Sequence, residues 1–80
     1  MTTSATVSDA RILVAVDGEQ IRKVRQQKGY TQLELAIRAD MMQAAISRLE
    51  SGRTHRVRWA TLERLARELK VPAESLVARR

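Results

Sequence analysis

Eighty residues carry fifteen Lys and Arg against nine Asp and Glu, a formal charge of +6, and so short a chain holds at most one domain. Cysteine is absent and histidine occurs once, which excludes a disulfide framework, a thiolate metal site and paired catalytic imidazoles. The longest apolar run, ILVAV at residues 12–16, falls far short of the roughly 20 residues that span a bilayer. The opening MTTSATVSDA is polar and lacks the pattern of a secretory signal, so a cytoplasmic, nucleoid-associated protein is expected, with no membrane partner. Among the cations Arg far outnumbers Lys, and its planar fork suits bidentate contact with phosphate or guanine. A polyanion is the expected partner, nucleic acid before others. Tyr30 and Trp59 are the only aromatic residues, too few for the stacking platforms of single-strand binders, so the composition favours duplex.

Residues 1–9 read as a polar arm, and residues 10–16, ARILVAV, as a short β-prone segment. Such a strand needs a partner: the same strand of a second subunit, through Ile12, Leu13, Val14 and Val16, or the domain's own core. A chain this small buries only about 60% of its extended surface, so a second subunit would help it. The first helix is predicted from Gly18 to Lys28. Asp17 is its N-cap, with Gln20 three residues on as in a capping box, and Val16 with Ile21 forms a hydrophobic staple. Ile21 and Val24 share its inner face, and Gly29 ends it. The second helix starts after Thr31, an N-cap with Glu34 at N3, and carries Leu35, Ala36 and Ala39 inward. The third spans Gln43 to Ser51, with Ile46 and Leu49 inward and Gly52 as its end. Residues 53–58, RTHRVR, lack helical periodicity and read as a basic loop. A fourth helix from Trp59 to Lys70 has Leu62, Leu65, Ala66 and Leu69 on one face. Pro72 breaks the chain before a short fifth helix anchored by Leu76. Tyr30 and Trp59 belong to the core, and Met41 fills the gap between the second and third helices.

The break at Ala39-Asp40 is the informative feature. Ala36 is small where another helix must come close, and Asp40 stands where the bend needs a left-handed residue, which Asp tolerates better than most. Ile46 and Leu49 then anchor the next helix across the one before. Together with "IRKVRQQKGYTQLELA" and "TLERLARELKVPAESL", this order of elements resembles the Cro/repressor-type (Xre-like, lambda-repressor-like) helix-turn-helix family over about residues 18–77. The resemblance implies an all-α, compact five-helix domain over residues 18–80, preceded by an arm or short strand over residues 1–17. It also answers why the chain breaks its helix: two helices at about 90–120° let one cross the DNA backbone while the next enters the major groove.

By position, the resemblance makes Gln43 a base reader, since an amide takes adenine N6 and N7 together. Arg48 could take guanine O6 and N7, and Ala44 a thymine methyl; Ser47 lies on the same outward face. Gln32 is expected on a phosphate at the start of the second helix, and Arg53, Thr54, His55 and Arg56 on phosphates flanking the groove. The family also places a structural salt bridge at Arg25 and Glu50. This chain departs from the family's usual Gly at Asp40 and Ser or Thr at Met42. Asp40-x-x-Gln43 is itself a capping-box pattern, which would turn Gln43 back onto the backbone. Leu33 and Ile37 stand where the family has polar groups, and are expected under residues 12–16, under a partner subunit, or in the core of a tilted helix.

The expectation is a sequence-specific double-stranded DNA-binding regulator, a repressor acting as a homodimer on half-sites about 34 Å apart. The alternative is an antitoxin-type module that neutralises a partner protein through its N-terminal arm and also binds DNA. An enzyme is disfavoured, with no Gly-rich phosphate loop and no clustered carboxylates; no cofactor, metal or small-molecule substrate is implied.

Overall fold

The computed structural model of the protein describes residues 12–79. The polar arm over residues 1–9 lies outside the described residues. In chain order the elements are β1 (Leu13–Ala15), α1 (Gly18–Gln27), α2 (Gln32–Arg38), α3 (Gln43–Ser51), β2 (Arg56–Arg58), α4 (Trp59–Leu69) and a 3-10 turn (Ala73–Leu76). Among the described residues, thirteen buried apolar side chains form one core, in which Ile21, Leu35, Ile46, Leu62, Leu65, Leu69 and Leu76 are fully enclosed. The four helices thus each contribute to a single cluster, which is what amphipathic helices too short to stand alone require.

The helix ends follow from local chemistry. Asp17 accepts a hydrogen bond from the Gln20 amide at 3.1 Å, but the return half of that capping box is missing, because the Asp17 N–H is taken by the Leu76 carbonyl. At α2 the box is complete: Thr31 Oγ1 accepts from the Glu34 amide at 3.0 Å, and Glu34 Oε1 accepts from the Thr31 amide at 2.8 Å. The bend after α2 is a Schellman motif. Asp40 adopts φ 57°, its N–H bonds to the Ile37 carbonyl, and the Met41 N–H bonds back to the Ala36 carbonyl. Asp40 therefore serves as the left-handed residue of the bend and not as the cap of α3. That cap position belongs to Met42, which makes no side-chain bond.

Two expectations change. Residues 53–58 are not wholly loop: Arg56–Arg58 is a strand antiparallel to β1, pairing Leu13 with Arg58, Val14 with Val57 and Ala15 with Arg56. The β1 strand thus finds its partner within its own chain, and Val16 is buried in the core, so Val14 and Val16 are not free to join two subunits as expected. The reason is the shared period of two, which sends Val14 and Val57 to the core side of the ribbon. Second, the fifth helix is a single 3-10 turn and not an α-helix. Its continuation is captured by the other edge of β1: Val77 bridges to Val16, and the Ala78 N–H bonds to the Ala15 carbonyl. A backbone drawn into a sheet edge cannot also continue a helix.

Leu33 and Ile37 are 51% and 69% exposed, so neither β1 nor the core of this chain covers them. Tyr30 and Trp59 are partly buried against the core, as is Met41. Tyr30 also lies beneath the Arg38 guanidinium, 4.7 Å from its ring centroid.

Candidate nucleic-acid interface

The two faces of α3 differ in kind. Ile46, Leu49 and Glu50 are buried, while Gln43, Ala44, Ser47 and Arg48 are all exposed. The expected reading set therefore shares one outward surface, at positions i, i+1, i+4 and i+5 of a single helix. Gln43 does not fold back as a cap; no hydrogen bond engages its side chain among the described residues, since Asp40 is spent on the bend.

What seats α3 is a buried polar network. Arg25 Nε donates to Glu50 Oε2 at 2.6 Å and Arg25 Nη2 donates to Glu50 Oε1 at 2.9 Å, the fork-to-fork geometry of a strong charge-assisted pair. Both residues are only 8% exposed. A third donor, Arg25 Nη1, reaches the Tyr30 carbonyl at 2.8 Å, which ties the end of α1 into the same knot. Gln32 Nε2 donates to Glu50 Oε1 at 3.0 Å. Hence three elements converge on one carboxylate, and the buried charges are fully partnered, as their desolvation demands. The direct hydrogen bond that Arg25 donates to the Glu50 carboxylate raises the Arg25 pKa above its ordinary value, against the opposing effect of burial. Because the shift is upward, the contribution of Arg25 is fully present at neutral pH and is lost only as pH rises through its folded pKa.

Gln32, expected on a phosphate, thus has part of its amide committed to Glu50, with its second N–H and its carbonyl oxygen remaining. Arg53, His55 and Arg56 are exposed and Thr54 is half-buried. They follow α3 directly, and the turn is held by the Thr54 N–H bonding to the Arg48 carbonyl at 3.1 Å. Gly52 makes that turn possible at φ 84°, a conformation open to glycine without a Cβ clash. His55 also anchors the ribbon, since its carbonyl accepts from the Val16 N–H.

One contributor escaped sequence reasoning. Gly18, which reads as an ordinary first helical residue, is a contact point: a Cβ built there would lie 1.9 Å from the Leu49 carbonyl oxygen. The first turn of α1 therefore presses on the last turn of α3, and only glycine permits it. The sole sequence signal is a glycine placed just inside a helix start, where it lowers helix propensity for no local benefit.

The expected roles for Ile12 and Leu13 at a subunit contact rest on surface alone; both are exposed, at 48% and 58%. Among the described residues, no group of three or more His, Cys, Asp or Glu could hold a metal ion, and no helix is long and apolar enough to cross a membrane.

Comparison with known proteins agrees with this geometry. A family model described as a helix-turn-helix domain matches residues 18–79. Two Bacillus subtilis proteins are each 38% identical, the uncharacterized HTH-type transcriptional regulator RghRB over 61 residues and the HTH-type transcriptional repressor RghR over 60. These alignments take in 76% and 75% of this chain but 44% of each relative, so the chain spans less than half the length of the curated relatives it matches. Among solved structures, SinR, the master regulator for biofilm formation, in complex with DNA superposes with a TM-score of 0.71 at 28% identity. The match covers 72% of this chain and 92% of that one. SinR bound to the SinI protein superposes with a TM-score of 0.70, covering 72% of this chain and 56% of that one. The matched model, the relatives and the bend built by Asp40 together place this chain in the helix-turn-helix family of the Cro/repressor (Xre-like) type.

Proposed function

We propose that the protein is a sequence-specific duplex-DNA-binding transcriptional regulator, a repressor that sets α3 in the major groove and acts as a homodimer on its operator. The observation that carries this reading is the division of α3 into a buried seat and an outward polar face. Gln43, Arg48 and Ala44 have the chemistry to read adenine, guanine and a thymine methyl, with Ser47 beside them. Gln32, Arg53, Thr54, His55 and Arg56 supply phosphate contacts on either side. The relatives named as HTH-type regulators and the SinR–DNA complex support the reading. The second unit of a dimer would meet the first through a surface other than β1 pairing, since that strand is occupied by β2.

The test is selection of duplexes from a random pool at about physiological salt, where non-specific attraction is weakened. A motif with two-fold symmetry and half-sites about 34 Å apart, or a multiple of that, is the expected result. On the selected duplex, Arg48→Ala should relax sequence choice by about 1–3 kcal/mol at one base pair. Arg53→Ala and Arg56→Ala should weaken all duplexes alike. A pool that returns no motif would overturn sequence-specific reading, and equal discrimination by wild type and Arg48→Ala would remove Arg48 from the reading set.

A further inference from the structure

We propose that Arg22 holds a DNA phosphate over a recess beside α3, with Ser47 as a second donor. Arg22, Arg25, Gln32, Ser47, Glu50 and Ser51 line this recess, which has a volume of about 200 Å³. The charge there is decided by pairing. Arg25 and Glu50 cancel one another through their fork, whereas Arg22 is exposed and forms no salt bridge among the described residues. The recess therefore has one net positive charge at its mouth, and its donors are of the right kind for an anion. Gln32 keeps one amide N–H beyond the one given to Glu50. The Ser47 hydroxyl makes no hydrogen bond among the described residues, while the Ser51 hydroxyl is already spent on the Arg48 carbonyl at 3.2 Å.

Position selects a phosphodiester among anions. Ser47 lies on the outward face of α3, so the recess opens at the border between that face and α1. With α3 in the groove, such a border meets the sugar–phosphate strand that walls the groove, where contacts fix register and carry no base information. Arg22 stands three residues before Arg25 on α1 and so shares its side of that helix. Its exposed fork can grip the phosphate from above while Arg25 and Glu50 form the floor. This assignment rests on the major-groove reading of α3 and gives Ser47 a positioning role in place of a base-reading one.

The experiment is phosphate-ethylation interference on the selected duplex, with wild type, Arg22→Ala, Arg22→Lys and Arg67→Ala. Arg67 is an exposed cation on α4, away from the recess, and controls for the loss of one charge. In wild type, ethylation of one particular phosphate in each half-site should block binding. In Arg22→Ala that phosphate alone should become silent, selected and scrambled duplexes should weaken by the same factor, and the salt slope should fall by about 0.9. Arg22→Lys should restore the salt slope and part of the affinity, and Arg67→Ala should leave the interference pattern unchanged. An interference pattern in Arg22→Ala identical to wild type would overturn the Arg22 site while leaving the groove reading intact. Failure of wild type to bind any duplex would overturn both. Matching thermal midpoints of the variants exclude unfolding as the cause.

Discussion

The two helices of the bend are held in opposite ways. Helix α2 is fixed by its own sequence: Thr31 and Glu34 close a complete capping box at its start, and a Schellman turn through Asp40 closes its end. Helix α3 has no side-chain cap at its start and is fixed by distant partners: Arg25 from α1, Gln32 from α2, and the press of Gly18 on the Leu49 carbonyl. A helix that satisfies itself locally can be read from a short window. The placement of α3, which presents the outward polar face, is decided instead by contacts 18 to 31 residues away in the chain. The first turn of α3 is left with unspent donors, and Gln43 with an unspent amide, which suits a helix whose start is to meet a ligand.

The sharpest way to break that contrast is Glu50→Ala. It leaves the Arg25 guanidinium buried without its carboxylate and removes the anchor of Gln32, and should cost about 3–5 kcal/mol of stability in denaturant unfolding. Replacing Arg25 and Glu50 together by apolar residues of similar volume should cost much less than either single loss; if the double variant is as unstable as the sum, the pair is not a coupled seat for α3.

Gly18→Ala comes next. The new Cβ meets a backbone oxygen that cannot swing aside, so α1 and α3 must part. A loss of about 1–3 kcal/mol is expected, as for overpacking, accompanied by weaker DNA binding because α3 shifts. Unchanged stability on chemical melting would mean that the helices are not pressed together in solution.

Thr31→Ala removes a local cap and should cost about 1 kcal/mol. Its effect should be confined to α2, read as faster amide exchange in the first turn of α2 with the amides of α3 unaffected. Smallest, and opposite in sign, is Met42→Ser. It offers α3 the side-chain cap it lacks and should raise stability by up to about 1 kcal/mol, visible as a higher thermal midpoint. A fall in the midpoint would show that the Met42 side chain, 76% exposed here, packs on something that matters more than a cap.

Legibility followed the same division. The helix starts at Asp17 and Thr31, the inward stripes of α2 and α4, and the Ala36–Asp40 bend were visible because each depends on residues within a turn or two of one another. The pairing of β1 with β2 was not visible: Arg-Val-Arg at residues 56–58 alternates, but three residues are too few to separate a strand from a basic loop, and its partner lies some 40 residues earlier in the chain. The last turn looked like a helix because Leu76 has an inward anchor, yet the sheet edge claimed its continuation at Val77 and Ala78. Leu33 and Ile37 could be recognised as too apolar for their positions, but whether anything in the chain covers them was a question only packing could answer, and nothing among the described residues does.

By itself, then, the order of residues determined where most helices begin and end, which faces they bury, the net positive charge and the short bend that marks the family, because those depend on dihedral preference, periodicity and ionisation. Tertiary structure alone decided that Glu50 gathers three elements onto one carboxylate, that Gly18 must lack a side chain, that Val14 meets Val57, and that Arg22 overlooks a recess whose other charges cancel. These are relations between groups remote in the chain, and they come into being only when burial forces every polar atom and every cubic ångström to find a partner.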